Sequence, residues 1–499
     1  MTLLTAFKHK QILVLGAGLT GMSCARFLAA QGLCFAVNDS RLNPFTHDYN
    51  QQTFKDEFPQ VSLSLGKWHA ELIAQAEVIL ISPGIDSSIA EIAAFINADC
   101  QVLGDVELFC QVNNQRRHPM DMLAVTGSNG KSTVVSLLDY LAKKLGINAQ
   151  LGGNIGQPVL DLFTQSHSNA ANALPELVIL ELSSFQLETL KSMQAIATTV
   201  LNVSDDHLDR HQTMANYQAI KQSIYQQGKL AITNRDDVAT AVPYCEQEAE
   251  QKAEQEVEPR VIEKQMSFGS DAPAQGQFGV RFASEHKLES KDKQNNKAYL
   301  AFGDKNLIAL DELPLAGMHN ALNYLAVLAL GYSAGWSLTA MVENLAGFAG
   351  LAHRCQRIST PDGITWINDS KATNVGATLA AINGLAKTLS AQQNLIVIAG
   401  GEGKGADFSP LAEPLAQQVS QVITLGQDGD KIAQLTSDMG KSQHVSDLHA
   451  AVVLAQANAK AGDIVLLSPA CASFDMFKSF AERGEQFMAV VKTLTEAKK

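Results

Sequence analysis

The chain has 499 residues, too many for one ordinary domain and enough for about three. A formal net charge of −13 disfavours nucleic acid as a partner, so an anionic ligand must be met by local positive charge. No apolar stretch is long enough to span a bilayer, residues 1–10 lack the core of a signal peptide, and seven scattered cysteines form no C-x-x-C pair; the expectation is a reduced, cytoplasmic protein without membrane, disulfide framework or zinc site.

The first third opens with the apolar run Ile12–Leu15, followed by Gly16-Ala17-Gly18-Leu19-Thr20-Gly21 and a helical pattern through Leu28. A strand at 35–37 ends in Asn38-Asp39-Ser40-Arg41, and one at Val78–Ile81 ends in Ser82-Pro83-Gly84. Strands alternating with helices predict a parallel, doubly wound sheet that binds ligands at strand carboxyl ends. The glycine spacing, with Asp39 closing the second strand, fits a dinucleotide fingerprint. Any diphosphate at such a turn needs the same glycines, and glycines serving only helix–strand packing would look alike.

The middle third starts near Gly104. An apolar strand at 122–125 runs into Thr126-Gly127-Ser128-Asn129-Gly130-Lys131-Ser132-Thr133, and apolar residues then recur at helical spacing until Gly146. This is the layout of a phosphate-binding loop, with Val125 where the common spacing has its first glycine. Glycines let backbone N–H groups close round phosphate oxygens, Lys131 supplies a point charge, and Ser132 can offer a hydroxyl to Mg²⁺. The strand at 177–180 ends in Glu181, where a Mg²⁺-holding carboxylate belongs. A strand expected at 195–203 leads into Asp205-Asp206-His207-Leu208-Asp209-Arg210-His211, whose ionisable groups suit either a Mg²⁺ or phosphate site or a solvated turn. Lys221, on the next helix, reads by itself as a lysine facing water. Residues 246–297 are rich in Glu, Gln, Lys and Asn, and we expect solvent-facing strands there, at 261–268 and Phe278–Phe282, between charged loops.

In the last third, apolar runs at 364–367, 395–399, 422–425 and Ile464–Leu467 alternate with helical segments, predicting a second doubly wound sheet that ends in a helix through Phe487 and Val490. Asn368-Asp369-Ser370-Lys371-Ala372-Thr373-Asn374 presents a carboxylate, a lysine and hydroxyls at a strand end. Gly400-Gly401-Glu402-Gly403-Lys404-Gly405 looks like a second phosphate loop, but no Ser or Thr follows its lysine. One ATP site without hydride acceptor or motor feature points to ATP-driven bond formation, in which phosphorylating a carboxylate creates a good leaving group. A nicotinamide dehydrogenase built on the first domain and a nucleotide-switched binding module are the rival classes.

Taken together, these motifs resemble the Mur ligases. The resemblance is carried by the two glycine turns at 16–21 and 126–133, Ser82-Pro83-Gly84-Ile85, Gly104-Asp105-Val106-Glu107-Leu108-Phe109, Gly152-Gly153-Asn154-Ile155-Gly156 and Glu181-Leu182-Ser183-Ser184-Phe185-Gln186-Leu187. Gly317-Met318-His319-Asn320, the segments at 366–374 and 468–473, and Phe474-Asp475-Met476-Phe477-Lys478 complete it. It spans nearly the whole chain, though the charged stretch is longer than the family needs. It implies an α/β fold of three domains: Rossmann-like at 1–104, P-loop ATPase-like at 105–350 and Rossmann-like at 351–499. It also implies ATP-dependent ligation of D-glutamate to UDP-N-acetylmuramoyl-L-alanine through an acyl phosphate, in peptidoglycan precursor synthesis, by a cytoplasmic monomer. A sibling ligase adding another amino acid is the near alternative.

The implied roles follow. Leu19, Thr20, Asp39, Ser40, Arg41 and Gly84 hold the uridine diphosphate, which changes the glycine fingerprint from NAD to a UDP-sugar. Gly127, Ser128, Asn129, Gly130, Lys131, Ser132 and Thr133 hold the ATP phosphates, Asn320, Asn323 and Arg354 face the nucleotide, and Asp369 takes its ribose. Ser132, Glu181 and His207 serve two Mg²⁺ ions, and Asn154 lies at the reaction centre with Lys131 and His207. Lys221 matches a lysine that the family carbamylates with CO₂, making a carboxylate that can join a Mg²⁺ site. Lys371, Thr373, Ser473 and Phe474 bind D-glutamate, with Lys404 near its side-chain carboxylate; Glu402 stands where the family often has Asp.

Overall fold

The computed structural model describes residues 3–45, 49–165, 174–243, 264–282, 297–315, 317–358, 360–386, 389–390 and 392–496. Strands β1 (Ile12–Leu15), β2 (Phe35–Asp39), β3 (Ser62–Leu65), β4 (Val78–Ile81) and β5 (Gln101–Leu103) form a parallel sheet in the order β3-β2-β1-β4-β5. Every residue of β1 and β4 is buried, as expected of Val/Ile/Leu runs covered on both faces. Strand order reverses between them, so the turns at 16–21 and 82–84 meet at one crevice. The short flanking strands β3 and β5 carry too few buried residues for the pattern to reveal them.

The second sheet contains β6 (Asp121–Thr126), β7 (Ala149–Gly153), β8 (Leu177–Glu181), β9 (Ala195–Val200), β10 (Gly228–Asn234) and β11 (Lys264–Phe268), all parallel, in the order β11-β10-β9-β6-β8-β7. Strand β9 stops three residues short of expectation because Asn202 turns its polar groups to the loop after β6: its carbonyl accepts from Ser128 N (2.9 Å) and its side chain from Asn129 N (2.8 Å). The helix Lys131–Lys144 buries Val134, Leu137, Leu138 and Leu141 against the sheet and ends where Gly146 turns left-handed, φ 70°.

Strands β12 (Phe278–Phe282), β13 (Ala298–Phe302) and β14 (Lys305–Ala309) form an antiparallel sheet. Here the expectation of solvent-facing strands is corrected, since Phe278, Val280 and Leu300 are buried on one face. Most of the charged stretch, at 244–263 and 283–296, lies outside the described residues.

The last sheet takes β15 (Gln356–Ile358), β16 (Thr365–Asn368), β17 (Leu395–Gly400), β18 (Gln421–Leu425), β19 (Ser442–His444) and β20 (Ile464–Leu467) in the order β15-β16-β20-β17-β18-β19, parallel except for β15. The final strand, β20, inserts between β16 and β17, and so gathers three strand ends. The terminal helix Phe480–Glu496 covers the sheet through Phe487 and Val491.

Contacts gather Met1–Val203, His207–Phe268 and Ala326–Met341 into one compact unit, and Ser204–Asp206, Gly269–Leu325 and Val342–Lys499 into a second. In the first, the β1–β5 and β6–β11 sheets share a core in which Phe163 packs on Phe27 (ring centroids 5.9 Å apart) and on Phe109 (5.2 Å). Among the described residues no helix is long and apolar enough to cross a membrane.

Candidate active site

The phosphate loop lies between β6 and its helix. Gly130 takes φ 85°, a left-handed conformation that most side chains resist, and so swings the chain into the helix N-terminus. Lys131 folds back, its Nζ donating to the carbonyls of Gly127 (2.6 Å) and Ser128 (2.9 Å). Ser132 and Thr133 are buried at the first helical turn, and Asn202 braces the loop from the segment that follows β9.

Beside it, β8 pairs with β6 so that Glu181 lies opposite Val125. Glu181 is 2 % exposed; Oε1 accepts from Asn154 Nδ2 at 2.8 Å, while Oε2 is buried without a hydrogen-bond partner. A desolvated carboxylate oxygen is costly unless something completes it. Together with the buried Ser132 hydroxyl, it fits a hard cation held mainly by phosphate oxygens, as Mg²⁺ usually is. Among the described residues no group of three or more His, Cys, Asp or Glu forms a ready-made metal cage.

His207 is exposed and begins the turn Leu208–His211, its backbone at φ 54° and its ring 4.9 Å from that of Phe185. Lys221 corrects the bare sequence reading: it is 1 % exposed, its amine donates to Gly127 O at 3.0 Å and it lies over the Tyr217 ring at 4.5 Å. Helical spacing locates this lysine on a helix but cannot say which face that helix buries. The Tyr217 hydroxyl in turn lies 3.2 Å from Ser128 Oγ.

At the β1–β4 crevice, the Asp39 carboxylate accepts from Ala17 N (2.8 Å), Arg41 N (2.9 Å), Arg41 Nε (3.0 Å) and Arg41 Nη2 (2.7 Å). Burial would raise its pKa, but these bonds outweigh it and hold the carboxyl below its ordinary value. Its acceptor capacity thus goes to fastening the glycine turn and Arg41, whose largely exposed guanidinium lies over Gly18. Leu19 is exposed, Thr20 and Ser40 half-buried, and Gly84 exposed.

In the second unit, Asp369 accepts from Cys355 N (3.1 Å) and Ser468 Oγ (3.1 Å), with the Arg354 charge nearby; burial pushes its pKa up to about 6. Asn323 donates to Asn320 Oδ1 at 3.3 Å. The residues expected for the nucleotide are therefore divided, the phosphate loop in the first unit and Asn320, Asn323, Arg354 and Asp369 in the second.

The remaining candidates sit at the gathered ends of β16, β17 and β20. Glu402 pairs with Ala472 as an antiparallel bridge, joining the second glycine turn to the turn that holds Ser473 and Phe474. Lys404 Nζ lies 5.3 Å from the Phe474 ring centroid, Lys371 Nζ lies 4.8 Å from that of Phe480, Ser473 is buried and Thr373 is exposed. Sequence reasoning missed Phe480, and it missed Arg483. Arg483 is 2 % exposed and donates to Ser370 Oγ and to the carbonyls of Ser370, Cys471 and Ala472, tying the 370 and 471 turns together. Burial lowers its pKa to about 10. An arginine within a helical pattern gives no sign that it is buried.

Three family models match the chain in succession: Mur ligase MurD-like, N-terminal domain, at 10–104; Mur ligase middle domain at 125–331; and Mur ligase, glutamate ligase domain, at 353–471. The chain is 57% identical over 494 residues, 98% of each chain, to the UDP-N-acetylmuramoylalanine--D-glutamate ligase of Colwellia psychrerythraea. It is 42% identical to that of Pseudoalteromonas translucida, over 98% of this chain and 99% of the relative. Among solved structures it resembles UDP-N-acetylmuramate-alanine ligase MurC from Thermotoga maritima (TM-score 0.54, 17% identity, 98% of this chain and 100% of that one). It also resembles MurF from Acinetobacter baumannii (TM-score 0.53, 19% identity, 85% and 86%). At these identities the two structures speak to the fold alone.

Proposed function

Since the chain belongs to the Mur ligase family, we propose that it joins D-glutamate to UDP-N-acetylmuramoyl-L-alanine at the expense of ATP, in the cytoplasm, for peptidoglycan precursor synthesis. The observation that carries this reading is the phosphate loop set in register beside Glu181, whose buried Oε2 has no hydrogen-bond partner. The names of the relatives support the choice of amino acid.

In this reading residues 1–104 bind the UDP-substrate, 105–350 bind ATP, and 351–499 bind the amino acid. Arg41, fixed by Asp39, meets the diphosphate over Gly18, alongside Leu19, Thr20, Ser40 and Gly84. The N–H groups of residues 127–133 and the Lys131 ammonium orient the triphosphate. Lys131 then exchanges its bonds to the loop carbonyls for phosphate oxygens as charge develops on the transferring group. Ser132, Glu181 and His207 would hold Mg²⁺, as two ions, which supplies charge neutralisation at that group. The substrate carboxylate attacks the γ-phosphorus and ADP leaves; the D-glutamate amine then attacks the acyl phosphate and inorganic phosphate departs. Asn154, fixed on Glu181, faces the reacting group. Lys371, Thr373, Ser473 and Phe474 hold the amino acid, with Lys404 toward its side-chain carboxylate. Asn320, Asn323, Arg354 and Asp369 take the nucleoside.

Lys221 is carbamylated in this reading. Its amine and that of Lys131 both donate to Gly127 O, and turning one ammonium into an anion relieves that like-charge crowding and provides a ligand for metal. The chain acts as a monomer. Phosphate release with ATP, Mg²⁺ and UDP-N-acetylmuramoyl-L-alanine, across a panel of amino acids, should require D-glutamate. Release driven by another amino acid would replace this reading with a sibling ligase, and release without any would point to a nucleotide switch.

A further inference from the structure

The turn Leu208–His211 is pinned from two sides, in a way that the reaction scheme above does not use. Arg210, whose side chain is only 15% exposed, pairs through Nε with Asp86 Oδ2 (3.5 Å) and through Nη2 with Glu188 Oε2, and its guanidinium lies 5.4 Å from the centroid of the Phe185 ring. Asp86 directly follows the turn that Ile85 N closes on Ser82 O (3.0 Å) and that contains Gly84, the far wall of the β1–β4 crevice. On the other side, Phe185 stacks on His211 (5.3 Å, 25°), and His211 packs on Tyr217 (5.2 Å). Tyr217 reaches Ser128 of the phosphate loop through its hydroxyl and carries the Lys221 amine on its ring. His207 and Gln212, which flank the turn, both have positive φ, 54° and 66°. Residues with side chains keep such geometry only where their surroundings over-determine it.

We propose that Arg210 is a positioning residue that couples the two ligand sites of the first unit. Occupancy of the diphosphate crevice fixes Asp86, Asp86 fixes Arg210, and the Phe185–His211–Tyr217 stack passes that order to Ser128 and Lys221. Two partly buried carboxylates and an aromatic face define one place for the guanidinium, a geometry that a lysine cannot reproduce because it lacks the planar fork. The inference rests on the crevice being the UDP-substrate site.

The test is calorimetric titration of the full chain with a non-hydrolysable ATP analogue, alone and with saturating UDP-N-acetylmuramoyl-L-alanine. In the wild type the substrate should tighten analogue binding by about fivefold or more, within the usual range for coupled sites. In Arg210→Ala and in Asp86→Asn each ligand alone should bind within about threefold of wild type while the mutual gain falls below about twofold, and Arg210→Lys should recover little of it. An intact gain in Arg210→Ala overturns the proposal, as does the lack of a gain in the wild type. Loss of analogue binding in the absence of substrate also overturns it, by showing that Arg210 merely maintains the loop. If the wild type fails to bind the UDP-substrate at all, the functional reading falls and this inference with it; normal binding with an unchanged gain removes this inference alone.

Discussion

Two lysines that look alike in the sequence differ in what surrounds them. Lys221 is enclosed by Gly127 O and the Tyr217 ring, where burial penalises an ammonium, and the proposed carbamate would take its place as an anion beside a metal. Lys221→Ala and Lys221→Arg should therefore both lose nearly all turnover. Added short carboxylic acids should restore activity to the alanine variant only, because it leaves a gap that a free carboxylate can fill. Full activity of Lys221→Ala without added acid, in the phosphate-release assay, would remove the carbamate. Lys371, by contrast, lies over Phe480 at the gathered strand ends of the last sheet, and its proposed role is to meet a substrate carboxylate. Lys371→Ala should raise the KM for D-glutamate by about tenfold or more, the scale of a lost charge-assisted hydrogen bond, and that for ATP far less. Equal effects on both would reassign it.

At the scale of elements, glycines of the same crevice carry unequal loads. A Cβ added at Gly21 would stand 1.8 Å from Gly16 O, a backbone atom that cannot move without opening the β1 turn. Gly84 has nothing within 4 Å of an added Cβ. Gly21→Ala should cost about 1–3 kcal/mol or more in urea unfolding, whereas Gly84→Ala should leave stability unchanged and disturb only UDP-substrate binding. Equal stability of the two variants would contradict the close approach.

The helix Asp105–Asn114 makes a second case. Its first residue, Asp105, is 3 % exposed, and burial raises its pKa to about 6 from 3.8 even though a helix N-terminus favours an anion. For a raised carboxyl, the stabilising contribution is present below the unfolded value and is lost as pH climbs through the folded one. Folded stability should therefore fall between about pH 4 and 6, by roughly 3 kcal/mol for this group. Asp105→Asn should flatten that slope and raise the melting temperature at pH 7.5; a slope unchanged in thermal melts from pH 4 to 7.5 would assign it elsewhere.

For the whole molecule, the decisive contrast is which ligand the first glycine turn takes. The β1–β4 crevice offers Arg41 over Gly18, while both oxygens of Asp39 are already bonded to Arg41 and one to Ala17 N, so the acid that would mark an NAD ribose serves the turn and its arginine instead. Calorimetry on the full chain should find binding of UDP-N-acetylmuramoyl-L-alanine and none of NADH; tight NADH binding alone would revive the dehydrogenase. Much of this was legible in the chain itself. Buried parallel strands such as β1, β4, β8 and β20 are near-continuous Val/Ile/Leu runs, and the loop around Lys131 is contiguous, so local order was enough to find them. Strands β3, β5, β7 and β10 were not found, because partly exposed strands depend on their neighbours more than on their own composition. Nor does any local pattern disclose that Lys221 and Arg483 are buried, that Asn202 braces the phosphate loop, or that Arg210 reaches Asp86. These pairings join residues far apart in sequence, and only packing chooses which polar side chain is enclosed and what completes it. The sequence by itself determined the sheet class and the phosphate loop, because both are written in short runs; the tertiary structure alone decided how the surrounding charges are shared, because desolvation and pairing belong to neighbours in space.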